Sequence, residues 1–253
     1  MTTTIKVAQQ TEPFYPTGDG EPVAESYDHM YALLTTLEVL RQYLAPRQAT
    51  VLANQFLFYA QNFPKLRVAP DVMVIFDVPP GGRDSYKIWE EGQIPSLIFE
   101  MTSPGTKDVD LIWKKTLYEQ LGVKEYWLFD PKGEWIEEKL RGYRLRGEVY
   151  ELIGDSRSEA LELRLQVEEK LIGFYRQDTG EKLLLPDELA CALRQEVIAK
   201  QQAEERAEQE RQRAEQESQR AEQERQRAEQ AELEVQKLRE KLRSLGIDPD
   251  TLQ

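Results

Sequence analysis

Cysteine and histidine are almost missing from this 253-residue chain: Cys191 is alone, and so is His29. A single thiol allows no intramolecular disulfide and no cysteine-based zinc site, which matches a reducing compartment, so a cytoplasmic location is expected. A single histidine leaves room for only one Ser-His-Asp or Cys-His arrangement, and His29 lies in an amphipathic helical pattern without a nucleophile elbow. Zinc hydrolases need at least two or three histidine or cysteine ligands, so that class is excluded too. No run approaches ~18 apolar residues, and Met1-Thr2-Thr3-Thr4-Ile5-Lys6 has no apolar core of a signal sequence; neither membrane insertion nor export is expected. GxGxxG after a strand and GxxxxGK[ST] are both absent. If the chain is an enzyme, its working groups are carboxylates, lysine and a hard metal ion.

Positive charge is also short. Lys and Arg total 33 against 46 Asp and Glu, a net charge of −13. The segment from Ala190 onward holds 12 basic and 15 acidic residues, so −10 falls on the part before it. Non-specific nucleic-acid affinity comes from basic side chains neutralising phosphates. Any nucleic-acid contact here must use a local basic groove, a metal or a partner.

What remains reads in three parts. Residues 1–22 are rich in Thr, Pro and Gly and are expected to be extended. Residues 23–185 form one domain, long enough for one good core. Met30, Leu33, Leu34, Leu37, Leu40 and Leu44 recur at helical spacing, with Ser26 or Asp28 as N-cap and Pro46 as the stop. Strands are expected at 50–59, 68–76 and 96–101, with a polar loop from Pro79 to Gln93; a helix follows at 108–121, closed by Gly122, and a strand at 125–129. Tyr143–Leu145 and Val149–Leu152 flank Arg146-Gly147-Glu148 as a β-hairpin, and Leu161–Leu165 alternates apolar with charged. This is an α/β sandwich plan with an antiparallel extension.

Residues 186–253 are helical and repetitive. Ala207-Glu-Gln-Glu-Arg-Gln-Arg returns, with one serine in its middle copy, at Ala214 and Ala221. A heptad seam through Ala207, Glu210, Ala214, Glu217, Ala221 and Glu224 would bury little and oppose carboxylates. Only Ala228, Ala231, Val235, Leu238, Leu242 and Leu245 can pair as a short coiled coil. The middle reads as a single helix with Glu210–Arg213, Glu217–Arg220 and Glu224–Arg227 pairs alternating with Arg206–Glu210, Arg213–Glu217 and Arg220–Glu224, each contributing about 0.2–0.5 kcal/mol. The alternative is a solvated, partly frayed helix without a partner.

Two carboxylates stand out. Asp71 follows Pro70 at the head of an apolar strand, and Glu100 closes the apolar strand Ser96-Leu97-Ile98-Phe99. An acid after such neighbours is costly unless paired or metal-bound, and two on adjacent strand ends can share Mg²⁺. The plainer reading is two acids facing solvent. His29 reads either as a capping or packing residue or as a neighbour of this site. Tyr126 and Trp127 read as core residues of their strand rather than a base-stacking platform.

Ala69-Pro70-Asp71-Val72-Met73-Val74, then Leu97-Ile98-Phe99-Glu100-Met101-Thr102-Ser103-Pro104-Gly105-Thr106, then Asp110-Leu111-Ile112-Trp113-Lys114-Lys115-Thr116-Leu117-Tyr118 and Gly122-Val123-Lys124-Glu125-Tyr126-Trp127-Leu128-Phe129-Asp130-Pro131 together resemble the Uma family of putative restriction endonucleases. That family is a bacterial branch of the PD-(D/E)XK nuclease superfamily, and the resemblance runs from His29 to the early hairpin. It implies a restriction-endonuclease-like α/β sandwich with a mixed central sheet, and a Mg²⁺- or Mn²⁺-dependent phosphodiesterase acting on DNA. Asp71 matches the PD aspartate and Glu100 the second acidic ligand; the Met101 carbonyl is a further ligand by analogy. The lysine expected two residues after that glutamate is replaced by Thr102, and the family pattern supplies Lys114 from the following helix instead. Asp110 and Tyr118 lie one turn to either side of Lys114 on the same helical face. Two functions follow as expectations: an endonuclease, or a nuclease-fold adaptor acting through its C-terminal helix. In either case that helix is expected to make homodimers or hold a partner protein.

Overall fold

The computed structural model of the chain describes residues 13–20, 25–102 and 105–244. The expectations for residues 1–12, for Ser103 and Pro104 in the strand-to-helix turn, and for Leu245 in the seam therefore lie outside the described residues. In chain order the elements are α1 (Tyr27–Leu44), β1 (Ala49–Leu52), β2 (Leu57–Phe58), β3 (Arg67–Val68), β4 (Val72–Phe76), β5 (Tyr86–Lys87), α2 (Ile88–Glu91), β6 (Leu97–Met101), a π-helical turn (Val109–Lys114) running into α3 (Lys115–Leu121), β7 (Glu125–Phe129), β8 (Leu140–Arg146), β9 (Val149–Ile153), β10 (Arg157–Ser158), β11 (Leu163–Glu168), β12 (Leu171–Arg176), β13 (Lys182–Leu183) and α4 (Pro186–Ser244). The chain divides into two units, Met1–Leu189 and Ala190–Gln253. No described helix is long and apolar enough to cross a membrane.

In the first unit a six-stranded sheet runs β1-β4-β6-β7-β8-β9. Only β6 and β7 are parallel, because the π-helical turn and α3 form the crossover between them; the other neighbours are antiparallel. The sheet is thus mixed, as the sequence pattern and the family resemblance together predict. Successive strand residues face opposite sides. Val72, Val74, Leu97, Phe99 and Trp127 pack under α1 and against Leu163, Leu165, Ile172 and Phe174 of the four-stranded antiparallel sheet β10–β13. Met73, Ile75, Ile98, Tyr126 and Leu128 build the second core with Tyr118 and Val123. By the same alternation Asp71 shares a face with Met73, and Glu100 shares it with Ile98. One glycine is fixed by packing: a Cβ at Gly142 of β8 would stand 2.5 Å from Trp127 Cζ3 on the paired strand.

Several boundaries differ from the sequence reading. The strand expected at 50–59 is two, because Asn54 takes a left-handed φ of 56° and sends β2 into a separate three-stranded sheet. Residues 68–76 also split, at Pro70, whose nitrogen has no hydrogen to give a ladder. The polar loop before Gln93 holds β5 and the single turn α2, too short to show a period. Glu162, with φ 60°, delays β11 to Leu163, and β12 and β13 went unread although Ile172 and Phe174 are core residues. Ser26, not Asp28, caps α1: its Oγ accepts from the His29 N–H at 3.3 Å.

α4 starts at Pro186, and its first turn belongs with the first unit, where Asp187 accepts from Tyr31 Oη at 2.7 Å. In the second unit, none of the six expected Glu–Arg pairs closes among the described residues. Arg225 instead reaches Glu222 and Glu229 at 3.6 Å each, since long exposed side chains lose as much in entropy as they gain in such pairing. Val235 and Leu238 of the expected seam are exposed, and so are Leu193, Val197 and Ile198, an apolar patch the heptad search passed over.

Candidate functional site

The ends of β4 and β6 lie side by side because the two strands pair antiparallel, with Val72 opposite Phe99. The residue entering β4 therefore meets the residues leaving β6. Asp71 Oδ2 accepts the Met101 N–H at 2.6 Å, and the Asp71 N–H points back to Glu100 Oε2 at 3.4 Å. The two acids are thus neighbours, Glu100 facing the Asp71 backbone and Asp71 holding the backbone of Met101, the residue after Glu100.

Glu100 has no exposure at all, so every oxygen needs a partner. Tyr118 Oη donates to Oε1 at 2.7 Å, and Lys114 Nζ donates to Oε2 at 2.8 Å. Lys114 Nζ also stands 3.0 Å from Asp110 Oδ1, an ion pair without hydrogen-bond alignment that leaves this buried oxygen unbonded among the described residues. Tyr126 Oη holds the Asp110 carbonyl at 2.9 Å. Asp110 and Lys114 both belong to the π-helical turn, a form concentrated at functional sites. The structure therefore brings together Asp71, Glu100, Lys114, Asp110 and Tyr118. Lys114 Nζ stands between the Glu100 and Asp110 carboxyls.

His29 joins from α1. Its Nε2 is 3.2 Å from Glu25 Oε2 and 3.6 Å from Asp71 Oδ2, and neither contact has hydrogen-bond geometry; both ring nitrogens are buried without a hydrogen bond. Met101 enters through its N–H, which holds Asp71; its side chain is buried in the core. Tyr126 and Trp127 are buried, as their strand pattern predicts.

Charge in the cluster is unbalanced. Burial pushes Glu100 up to about 8, with Lys114 opposing and Asp71 and Asp110 adding to the rise. Burial alone would lower Lys114, but Glu100, Asp110 and Asp71 outweigh it and hold the ammonium above its ordinary range. His29 is raised likewise: burial works against protonation, and Asp71, Glu25 and Asp110 overcome it. Tyr118 is lifted by burial and by Glu100. Three carboxyls crowd one lysine, which is why Glu100 is held up; a hard divalent cation there would relieve that crowding. Among the described residues no three ligating side chains converge on one point. A cation would rest on Asp71 and Glu100, with water and backbone oxygen completing the shell. Mg²⁺ suits such a sparse protein set.

Residues that sequence reading missed also cluster here. Thr102 is buried, and its Oγ1 has no hydrogen-bond partner among the described residues. Asp130 accepts backbone N–H groups from Lys132, Gly133, Trp135 and Ile136, and so shapes the loop beside Thr102. The Asp130-Pro131 pair after an apolar strand was the available signal for that loop; Thr102 stood out only as the residue in the place of the expected lysine.

The Uma2 family, described as putative restriction endonuclease, matches residues 6–171. A putative nuclease of the DUF820 group from Anabaena variabilis is a similar solved structure: 16% identity, TM-score 0.43, covering 60% of this chain and 87% of that one. No curated protein matches.

Proposed function

This chain belongs to the Uma2 family of putative restriction endonucleases, and from that premise we propose that it is a divalent-metal-dependent endonuclease hydrolysing phosphodiester bonds of DNA. One observation carries the reading: Asp71 and Glu100 meet at adjacent strand ends, with the Lys114 ammonium 2.8 Å from Glu100. A Mg²⁺ or Mn²⁺ ion on Asp71 and Glu100 would polarise a phosphoryl oxygen and acidify a bound water.

The chain's own residues do the rest. The Met101 N–H fixes one Asp71 oxygen and so orients the other. Tyr118 fixes Glu100 from the opposite side. Lys114, flanked by two carboxyls, stays an ammonium; it serves by donating hydrogen bonds to the incoming water or to the phosphoryl oxygens on which charge builds, not by taking a proton. His29 braces Asp71 from α1. The net charge of −10 before Ala190 fits a substrate drawn in by this local machinery rather than by a broad basic surface.

Nicking and linearisation of supercoiled plasmid by the full chain, with Mg²⁺ and then Mn²⁺, test the reading. Cleavage that disappears in Asp71→Ala is expected; none by the wild type with either metal, or equal cleavage by the variant, rejects it.

A second reading, an adaptor built on the nuclease fold, draws on the exposed Val197, Ile198, Val235 and Leu238 of α4. Light scattering on the full chain and on a truncation before Ala190 examines it. A monomeric mass for both removes the self-association form.

A further inference from the structure

We propose that the cavity beside the Asp71–Glu100 cluster is a subsite for one unstacked nucleobase, so that the chain engages single-stranded or locally opened DNA in preference to intact duplex. The proposal rests on the nuclease reading for the phosphodiester that accompanies the base. The cavity, about 390 Å³, is walled by His29 and Thr102 on the side of the cluster and by Asp130, Pro131 and Trp135 on the other. That volume suits a small organic ligand.

Two of its walls carry buried polar groups that the protein leaves unsatisfied. Thr102 Oγ1 and His29 Nδ1 have neither a hydrogen bond nor an ion pair among the described residues, whereas His29 Nε2 faces Glu25 Oε2 at 3.2 Å and Asp71 Oδ2 at 3.6 Å; both side chains are at least nine-tenths buried. Buried hydroxyl and imidazole groups ordinarily find partners. Here the edge of a ligand can supply them, since a base carries both donors and acceptors.

The charges say which part of a nucleotide enters. Asp130 spends its carboxylate on four backbone N–H groups, Asp28 is paired with Lys170 at 2.9 Å, and Glu25, Lys132 and Glu134 also line the cavity. A lining with two further acids against one lysine suits a neutral, flat group better than a phosphate. Trp135, 38% exposed, lines the cavity; Lys107 Nζ covers one face of its ring at 4.0 Å from the centroid, so a base would stack on the opposite face, with that cation near the adjoining backbone phosphate. A base inside a duplex cannot reach a concave site without leaving its stack, which is the origin of the preference.

The test measures affinity of the full chain for a short fluorescein-labelled DNA strand, its duplex and the matching RNA strand by anisotropy, with Ca²⁺ as the divalent ion. The single strand is expected to bind more tightly than the duplex. Trp135→Ala is expected to weaken strand binding about tenfold, with Trp135→Phe restoring most of it. Thr102→Val, which keeps the shape and removes the hydroxyl, should cost about fivefold. Circular dichroism of each variant confirms that it folds. An RNA strand showing the same dependence supports the base subsite and broadens its source. Unchanged strand affinity in Trp135→Ala, or equal losses for strand and duplex, overturns the subsite. The two readings fail separately: plasmid cleavage with no Trp135 dependence leaves the nuclease without this subsite, whereas Trp135-dependent strand binding with no cleavage in Mg²⁺ or Mn²⁺ removes the nuclease and keeps the base site.

Discussion

Glutamate paired with a basic side chain occurs in both units of this protein, with opposite consequences. Along α4, Arg225 meets Glu222 and Glu229 in full contact with water, and the pairing is loose. At the ends of β4 and β6, Lys114 meets Glu100 and Asp110 with almost no solvent, and both Glu100 oxygens accept directed hydrogen bonds. Water decides the difference. Exposed ions keep their hydration and gain little from one another. Buried ions have given hydration up, and removing one strands the others. The first kind of pairing tolerates change; the second holds chemistry.

The largest expected effect breaks the buried side. Asp71→Ala should lower the plasmid cleavage rate by about 10²–10³-fold, with Lys114→Met close behind, because both act on charge at the reacting phosphate. A nicking time course checks it. Lys114→Met should also cost about 3–5 kcal/mol of stability in denaturant titration, since Glu100 and Asp110 would remain buried without their cation. Combining it with Glu100→Gln should return part of that loss, and the double-mutant cycle gives the coupling directly. Tyr118→Phe leaves one Glu100 oxygen unpaired and should cost about 1–3 kcal/mol. Added Mg²⁺ or Mn²⁺ should raise the melting temperature of the wild type and leave that of Asp71→Ala unchanged, because a cation that binds only the folded state stabilises it by mass action. On the exposed side, Arg225→Ala should stay within about 0.5 kcal/mol. A loss at Arg225 comparable to that at Lys114 would dissolve the contrast.

What could be read from residues alone follows the same division. α1 is legible over its full length because Leu33, Leu40 and Leu44 keep helical spacing, although its buried face also takes in His29, Thr35 and Thr36 and leaves Leu34 exposed. β4, β6 and β7 are legible because they are apolar on both faces. The proximity of Asp71, Glu100 and Lys114 came from family resemblance; spacing cannot tell which strands pair, and 29 residues separate the two acids. Short elements such as β5, α2 and β10 carry too few residues to show a period. The left-handed residues Asn54 and Glu162 fall inside runs that read as continuous strand. His29 left two readings open because a histidine on an amphipathic helix looks the same whether it packs or braces an acid. The wall formed by Thr102 and Trp135 joins residues from two loops and has no linear signature.

Gly142 has a consequence for the order of the sheet itself. The indole of Trp127 fills the place where any other residue would carry its first side-chain carbon. Were β8 to slide by one position, Arg141 or Tyr143 would arrive there and collide, so a single missing methyl group acts as the index mark that aligns the outer hairpin with β7. Because β7 is in turn the parallel neighbour of β6, that mark also steadies the strand from which Glu100 projects.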